Sequence, residues 1–300
     1  MKKRTLLVFS FVILLLIAPA CGNKEEEMPA ATEEQDPAQI EAAKDSEPEE
    51  ELSQQNDSGP CNNILFPLND GNNWVYEVES SDGSGEPIFS EYAWSVSGQT
   101  EDSVKLGTLF YDSGTVLSAD VQCLDGAVEN FPLTTSNIVV GDMEGAIDYE
   151  YVSGKYLPSF KELEDGNWEN TWQTVVNSSG TITADFEGQT TGIVLDDSPL
   201  TMNWQILEKD VSVTVPAGTF DNAVRINQEL IYEINSLTIE GGDMPMEIST
   251  TMIFDSDYWF VPNLGLVKTE INSTNVQLFG SSFPVDMTGV SMLKSSNLLD

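Results

Sequence analysis

The chain has 300 residues, with 50 acidic residues, 12 basic residues and no histidine, and its formal net charge is −38. A field of this sign repels nucleic acid and anionic lipid headgroups, so direct binding to either is not expected. The lack of histidine excludes Ser-His-Asp and Cys-His catalytic systems and imidazole metal ligands.

The first 20 residues have the pattern of a secretory signal. Basic residues at positions 2–4 precede an apolar run over 6–18, and small residues lead to Cys21. As a helix this run measures about 20 Å, which is short of the roughly 30 Å hydrocarbon core of a bilayer. We expect a signal peptide over 1–20 and a lipid anchor with acyl chains such as palmitate on Cys21. A plain secretory signal and an uncleaved anchor remain alternatives.

Residues 21–60 are expected to form a disordered, lipidated linker. Positions 23–60 hold 13 acidic residues and two lysines, mixed with proline, alanine, glutamine and serine. Such a segment has too little apolar surface to offset the entropy lost on ordering, and its charges repel one another. We interpret it as a tether, with an interaction tail as the alternative.

The sequence from Cys61 onward alternates between apolar and polar residues. Clear examples are 74–78, 92–96 and 172–176, and such alternation is typical of half-buried antiparallel strands. We predict an all-β domain with minor α over 61–300, built as one curved antiparallel sheet that forms a half-barrel or a barrel-like shape. The best helical candidate is the short stretch 156–164.

Alternation also predicts which side chains share the buried face. These are Trp74, Tyr76 and Val78; Tyr92, Trp94 and Val96; and Trp172, Thr174 and Val176. Because almost no helical sequence is available to cover this face, the sheet must close on itself or pack on a second sheet. Curved closure would leave an apolar concave side with room for a lipid-like ligand.

Cys61 and Cys123 are the only cysteines besides Cys21. In an exported protein such a pair favours a disulfide. By closing a long loop, this bond would stabilise the folded state by about 4 kcal/mol in the chain-entropy model. Two separate buried thiols are the alternative.

Three acidic motifs are candidates for a catalytic or metal-binding site. Asp112-Ser113-Gly114-Thr115 resembles the aspartic protease signature, but that chemistry needs two carboxylates, and an ordinary hairpin turn explains the motif. Asp196-Asp197 and Asp255-Ser256-Asp257 could bind calcium but lack EF-hand spacing, so we interpret them as exposed acidic turns. We therefore predict no catalytic residue, no metal site and no cofactor. The tryptophans are expected in the core, with a sugar-binding platform as the alternative.

Three segments together suggest a family resemblance. They are Phe66-Pro67-Leu68 with Gly71-Asn72-Asn73-Trp74-Val75-Tyr76; Val213-Thr214-Val215-Pro216-Ala217-Gly218-Thr219-Phe220; and the stretch from Tyr258-Trp259-Phe260-Val261-Pro262-Asn263-Leu264-Gly265 to Lys268. The trio resembles a broad group of bacterial exported β-proteins and lipoproteins, similar in layout to the lipoprotein-carrier (LolA/LolB-like) class. The resemblance implies a curved antiparallel half-barrel and supplies no catalytic residues.

The sequence thus favours a non-enzymatic β-domain that is anchored outside the cytoplasm and binds an apolar ligand such as an acyl chain. Its predicted partners are the membrane, through the anchor on Cys21, and a lipid-like small molecule. The expected location is the cell surface, or the outer membrane of a cell with two membranes. The alternative is a structural or carbohydrate-contacting surface module with a filled core. The oligomeric state is left open.

Overall fold

A computed structural model describes residues 61–299, with gaps at 82–87, 113, 115, 131–134, 141–142, 160, 163–170, 187–188, 241–245, 279–280 and 286–287. The predicted signal peptide, Cys21 and the predicted tether lie outside the described residues.

The described residues form an almost entirely β structure, as predicted. The strands are β1 Asn73–Ser81, β2 Ile88–Ser97, β3 Ser103–Phe110, β4 Val116–Leu124, β5 Ala127–Val128, β6 Thr135–Val140, β7 Met143–Gly154, β8 Thr171–Phe186, β9 Gln189–Val215, β10 Gly218–Glu240, β11 Met246–Val261, β12 Gly265–Leu278, β13 Ser281–Val285 and β14 Thr288–Ser296.

The strands belong to one large antiparallel sheet that does not close. Its order is β5-β4-β3-β2-β1-β14-β12-β11-β10-β9-β8-β7-β6, and β13 pairs with β12. Two meanders, β1 to β5 and β6 to β12, are therefore joined through the last strand, β14. Strand β14 pairs with β1 along its length and with β12 over Lys268–Glu270.

Alternation along the strands produces one inner face and one outer face. Trp74 and Tyr76 of β1 are fully buried, as are Thr174 and Val176 of β8, which confirms the predicted inner face. Aromatic rings fill this face. Phe66 lies 5.2 Å from Trp74, Tyr76 lies 4.9 Å from Tyr92, and Tyr156 lies 5.0 Å from Trp204 between ring centroids.

The two ends of the sheet approach each other at one isolated antiparallel bridge between Val128 and Leu157. The N–H groups of Tyr156 and Leu157 donate to the carbonyl of Val128 at 2.8 and 3.1 Å. These bonds correct the predicted helix over 156–164, because its first residues form a bridge and, among the described residues, only 161–162 are helical. Pro158 also opposes helix at the preceding residue.

The first described segment, residues 61–69, closes one end of the core. Leu65, Phe66 and Leu68 are buried, and a disulfide joins Cys61 to Cys123 of β4 with 5.2 Å between their Cα atoms. The predicted disulfide is therefore confirmed, with a Cα separation in the range usual for such bonds.

Asn63 fixes this segment from within. Its Nδ2 donates to the carbonyls of Gly126 and Pro158, both at 2.8 Å, and its Oδ1 accepts from the N–H groups of Leu65 and Phe66 at 2.9 and 3.2 Å. Because Asn63 is fully buried, it satisfies backbone groups that water could not reach.

Within the described part of the chain, no helix is long and apolar enough to span a membrane.

Candidate functional site

A shallow polar groove of about 540 Å³ crosses the outer face of β8 to β11. We call it the amide groove. Its polar lining residues are Thr171, Gln173, Asn203, Gln205, Asn227, Glu229 and Asp255.

Strand alternation explains why this surface is polar. Trp172 and Trp204 alternate with the groove residues, and their rings turn to the inner face, where they stack with 6.1 Å between centroids. Trp204 is 1% exposed and Trp172 is half-buried. The outward neighbours Gln173 and Gln205 are exposed, so the same strands supply the core and the groove.

Hydrogen bonds link the groove side chains across the strands. Gln173 Nε2 donates to Asn203 Oδ1 at 2.9 Å, and Asn203 Nδ2 donates to Glu229 Oε2 at 3.2 Å.

A second chain of bonds runs toward β12. Asn227 Nδ2 donates to Asp255 Oδ2 at 3.2 Å, and Asn272 Nδ2 donates to Asp255 Oδ1 at 2.8 Å. These amide and carboxylate groups are therefore held in fixed positions, while Gln205 makes no side-chain hydrogen bond with the described residues.

Asp257 forms the buried end of the groove network. It pairs with Arg225, whose NH2 nitrogen lies 2.5 Å from Asp257 Oδ2, and it accepts from Asn227 at 3.0 Å. The hydrogen bond to Asp257 is the main cause of the raised pKa of Arg225.

The predicted exposed turn at Asp255-Ser256-Asp257 is therefore wrong. The triplet lies inside β11, and Asp257 is 2% exposed. A buried carboxylate requires a charged or hydrogen-bonding partner. Its partner lies 32 residues away in sequence, on β10, and so was not visible from the triplet.

A cation–aromatic row continues from this ion pair. The ring of Trp259 lies between two cations, with Arg225 at 5.4 Å and Lys268 at 4.5 Å from its centroid. Lys268 also pairs with Glu270 at 2.6 Å. Trp259 is partly buried and packs against the core, as predicted for the tryptophans. Its ring also contacts Arg225 and Lys268, its register partners on β10 and β12.

The groove has donors and acceptors but lacks the donor set of a metal centre. Among the described residues, no three His, Cys, Asp or Glu side chains lie close enough together to hold a metal ion. Amide groups both donate and accept, whereas carboxylates only accept, so the groove can bind a neutral ligand that carries many hydroxyl groups.

The inner face bears a group of buried tyrosines rather than a charged site. Burial raises the pKa of Tyr92 to about 12, and it also raises the pKa of Tyr76, Tyr156 and Tyr258. Tyr76 donates to the carbonyl of Leu266 at 2.9 Å. These hydroxyls stay protonated near neutral pH and serve the packing of the core.

The other predicted acidic motifs are structural. Asp112 and Gly114 lie in the turn between β3 and β4, as expected, with Gly114 at a φ of 67°. Asp196 and Asp197 are exposed, as predicted, but they lie within β9 rather than in a turn, and Asp197 has a φ of 39°. The positive φ coincides with a register shift between β8 and β9.

No family model and no curated protein matches the chain. Two solved structures resemble it. A candidate lipoprotein from Parabacteroides distasonis is 15% identical, with a TM-score of 0.39, over 78% of this chain and 99% of that one. A candidate exported protein with YmcC-like fold from Bacteroides fragilis is 13% identical, with a TM-score of 0.38, over 78% of this chain and 99% of that one.

Proposed function

We propose that this protein is a lipid-anchored module of the cell envelope that binds carbohydrate through the amide groove. The signal pattern, Cys21 and the disulfide between Cys61 and Cys123 support this location. Disulfides persist outside the reducing cytoplasm, which agrees with export.

The observation that carries the proposal is the cross-strand arrangement of amides and carboxylates. Gln173, Asn203 and Glu229 are linked to one another by hydrogen bonds, and Asp255 is held separately by Asn227 and Asn272. Little rotamer freedom is therefore lost when a ligand binds. Gln205 adds an amide in the same groove that is not used internally.

Charge narrows the ligand class to neutral or amino sugars. Glu229 and Asp255 face each other directly across β10 and β11, and two further carboxylates lie nearby, Asp257 on β11 and its register partner Glu270 on β12. Anionic polysaccharides would be repelled by this field. Neutral hydroxyl groups can donate to the carboxylates and accept from the amides.

We propose binding rather than catalysis at this pair of carboxylates. Two opposed carboxylates also occur in glycosidases, where one of them is a buried acid with a raised pKa. Glu229 is solvent-exposed in a shallow groove, so it lacks the burial that prepares such an acid.

An acyl chain on the concave side is the second candidate, and it is the ligand that the sequence favours. The aromatic alternation that suggested it is present, but the described inner-face rings pack on one another. Displacement of a hydrophobic fluorescent probe by fatty acid, measured on the full chain, tests this candidate separately.

Affinity electrophoresis of the full chain through gels that contain neutral glucan, an amino-sugar polymer or alginate tests the carbohydrate proposal. We expect retardation by a neutral or amino-sugar polymer and none by alginate. Gln205→Ala and Glu229→Ala should weaken binding about tenfold, since a lost hydrogen bond of about 1.4 kcal/mol corresponds to that factor. Asp120→Asn, on the exposed outer face of β4, is the matched control.

The proposal fails if none of these polymers retards the chain, or if both groove variants migrate as the parent does. Release of new reducing ends that stops in Glu229→Gln would replace binding with hydrolysis. Probe displacement by fatty acid without any glycan binding would favour the acyl ligand.

A further inference from the structure

A second outer-face groove lies on the other half of the sheet, across β14, β1 and β2. Its volume is about 460 Å³, and we call it the acidic–apolar groove. Its lining residues are Glu77, Val78, Glu79, Phe89, Ser90, Glu91, Asp112 and Met292.

Large apolar side chains stand exposed in and beside this groove. Phe89 is 68% exposed and Tyr111 is 50% exposed. The N–H of Tyr111 donates to the carbonyl of Glu91 at 3.1 Å, which sets Tyr111 beside β2. Neighbouring exposed apolar groups of this kind mark interaction surfaces more often than isolated ones do.

Carboxylates surround the apolar groups. Glu77 lies opposite both Met292 and Glu91, and Glu79 lies opposite Phe89. Within the described part of the chain, Lys294 is the one basic side chain that forms an ion pair with a lining carboxylate, Glu91. The groove therefore keeps a net negative charge next to its apolar floor.

Two occupants are disfavoured by this charge. A second copy of the chain would bring its own negative charge, because the net charge is −38. An anionic membrane surface would be repelled in the same way.

The groove also lies far from the residue that carries the tether. Phe89 of the groove and Ser97 stand near opposite ends of β2, about 27 Å apart at about 3.4 Å per residue, and in register Cys123 lies beyond the Ser97 end. Cys123 holds Cys61, the first residue after the predicted tether.

We propose that the acidic–apolar groove docks a cationic peptide segment in which basic side chains flank one or two large apolar ones. The apolar side chain packs on Phe89 and Met292, and the basic groups pair with Glu77, Glu79 and Asp112. This interaction is independent of carbohydrate binding, since the amide groove lies on β8 to β11.

Fluorescence anisotropy with three labelled 12-residue peptides tests the docking on the full chain. One peptide alternates Lys and Leu, a second replaces Leu with Ser, and a third replaces Lys with Glu. We expect saturable binding of the first peptide only. Phe89→Ser and the double variant Glu77→Gln/Glu79→Gln should each weaken it at least fivefold. Phe283→Ser, at a residue that is 51% exposed on β13, should leave binding unchanged and serves as the control.

Equal binding of the Lys-Leu and Lys-Ser peptides would show a purely electrostatic attraction and overturn the proposal. Unchanged binding in Phe89→Ser would do the same. Sedimentation of the parent as a dimer that Phe89→Ser dissociates would assign the groove to a second copy. Loss of binding to phosphatidylcholine vesicles in Phe89→Ser would assign it to a membrane.

Discussion

Removal of the disulfide between Cys61 and Cys123 should cost about 4 kcal/mol of the free energy of unfolding. The bond closes a loop with a sequence separation of 62 residues, and the chain-entropy model gives about 4 kcal/mol for a loop of this length. Domains are typically stable by roughly 5–15 kcal/mol, so this is a large share. The bond also holds the segment that places Leu65, Phe66 and Leu68 in the core.

Urea unfolding of the full chain, followed by tryptophan fluorescence, measures this loss. With a slope of roughly 2–3 kcal/mol/M, the reduced parent and the double variant Cys61→Ala/Cys123→Ala should unfold at a midpoint lower by roughly 1.3–2 M. The reduced parent keeps both sulfur atoms and so isolates the effect of the link. Dithiothreitol should not change the midpoint of the double variant.

A midpoint of the reduced parent within about 0.3 M of the oxidised one would refute the reasoning, because the link would then constrain little in the unfolded chain. Thiol labelling of the denatured, unreduced Cys21→Ser chain provides an independent check. Two labelled cysteines per molecule would show that the bond does not form.

Four further predictions follow from single residues. Asn63→Ala should lower the free energy of unfolding by about 3–5 kcal/mol, measured in urea, because buried backbone groups lose their partners; a loss below about 1 kcal/mol would contradict this. Gly154→Ala should lower the free energy of unfolding by about 3 kcal/mol or more, because at its φ of 97° a Cβ would lie 1.9 Å from a carbonyl oxygen of β8. The control is Gly71→Ala, where φ is 88° and no atom lies within 4 Å of the added Cβ. It should lower the free energy of unfolding by only about 1–2 kcal/mol. The pKa of Tyr92 is raised to about 12, so its contribution to stability is complete below pH 10 and is lost as the pH rises from 10 to 12. Absorbance titration of the folded chain at alkaline pH measures this ionisation. Ionisation of all tyrosines near pH 10 would contradict the prediction. Cys21→Ser should move the protein from the membrane fraction to the soluble or unprocessed pool, and a variant that stays membrane-bound at its mature size would disprove the anchor.

Local patterns in the sequence predicted the features that depend on local physics. Alternation assigned Trp74 and Tyr76 to the inner face, since the period of a strand fixes the face of each side chain. The segment from Val213 to Phe220, which carries part of the family resemblance, forms the connection between β9 and β10, with Gly218 at a φ of 144°. The disulfide could be predicted because the domain is expected outside the cytoplasm and only Cys61 and Cys123 remain after Cys21.

Long-range pairing could not be predicted in the same way. Asp257 looks like part of an exposed acidic turn until register places Arg225 beside it, and the sequence around Trp259 does not indicate the two cations that contact its ring. The amide groove is likewise a product of register, because Gln173, Asn203 and Glu229 come from three strands. Each of these residues alone is an ordinary polar residue on a strand.

The position of β14 also bears on how the protein is made. Among the described residues the two meanders share no continuous ladder with each other, and the strand that joins them is synthesised after both. A chain that ends before Thr288 would leave the edges of β1 and β12 without the strand that covers them, and open edges pair readily with other chains. Synthesis of β14 therefore protects both edges against aggregation, and truncation before Thr288 should be far more harmful than loss of the same length from an exposed loop.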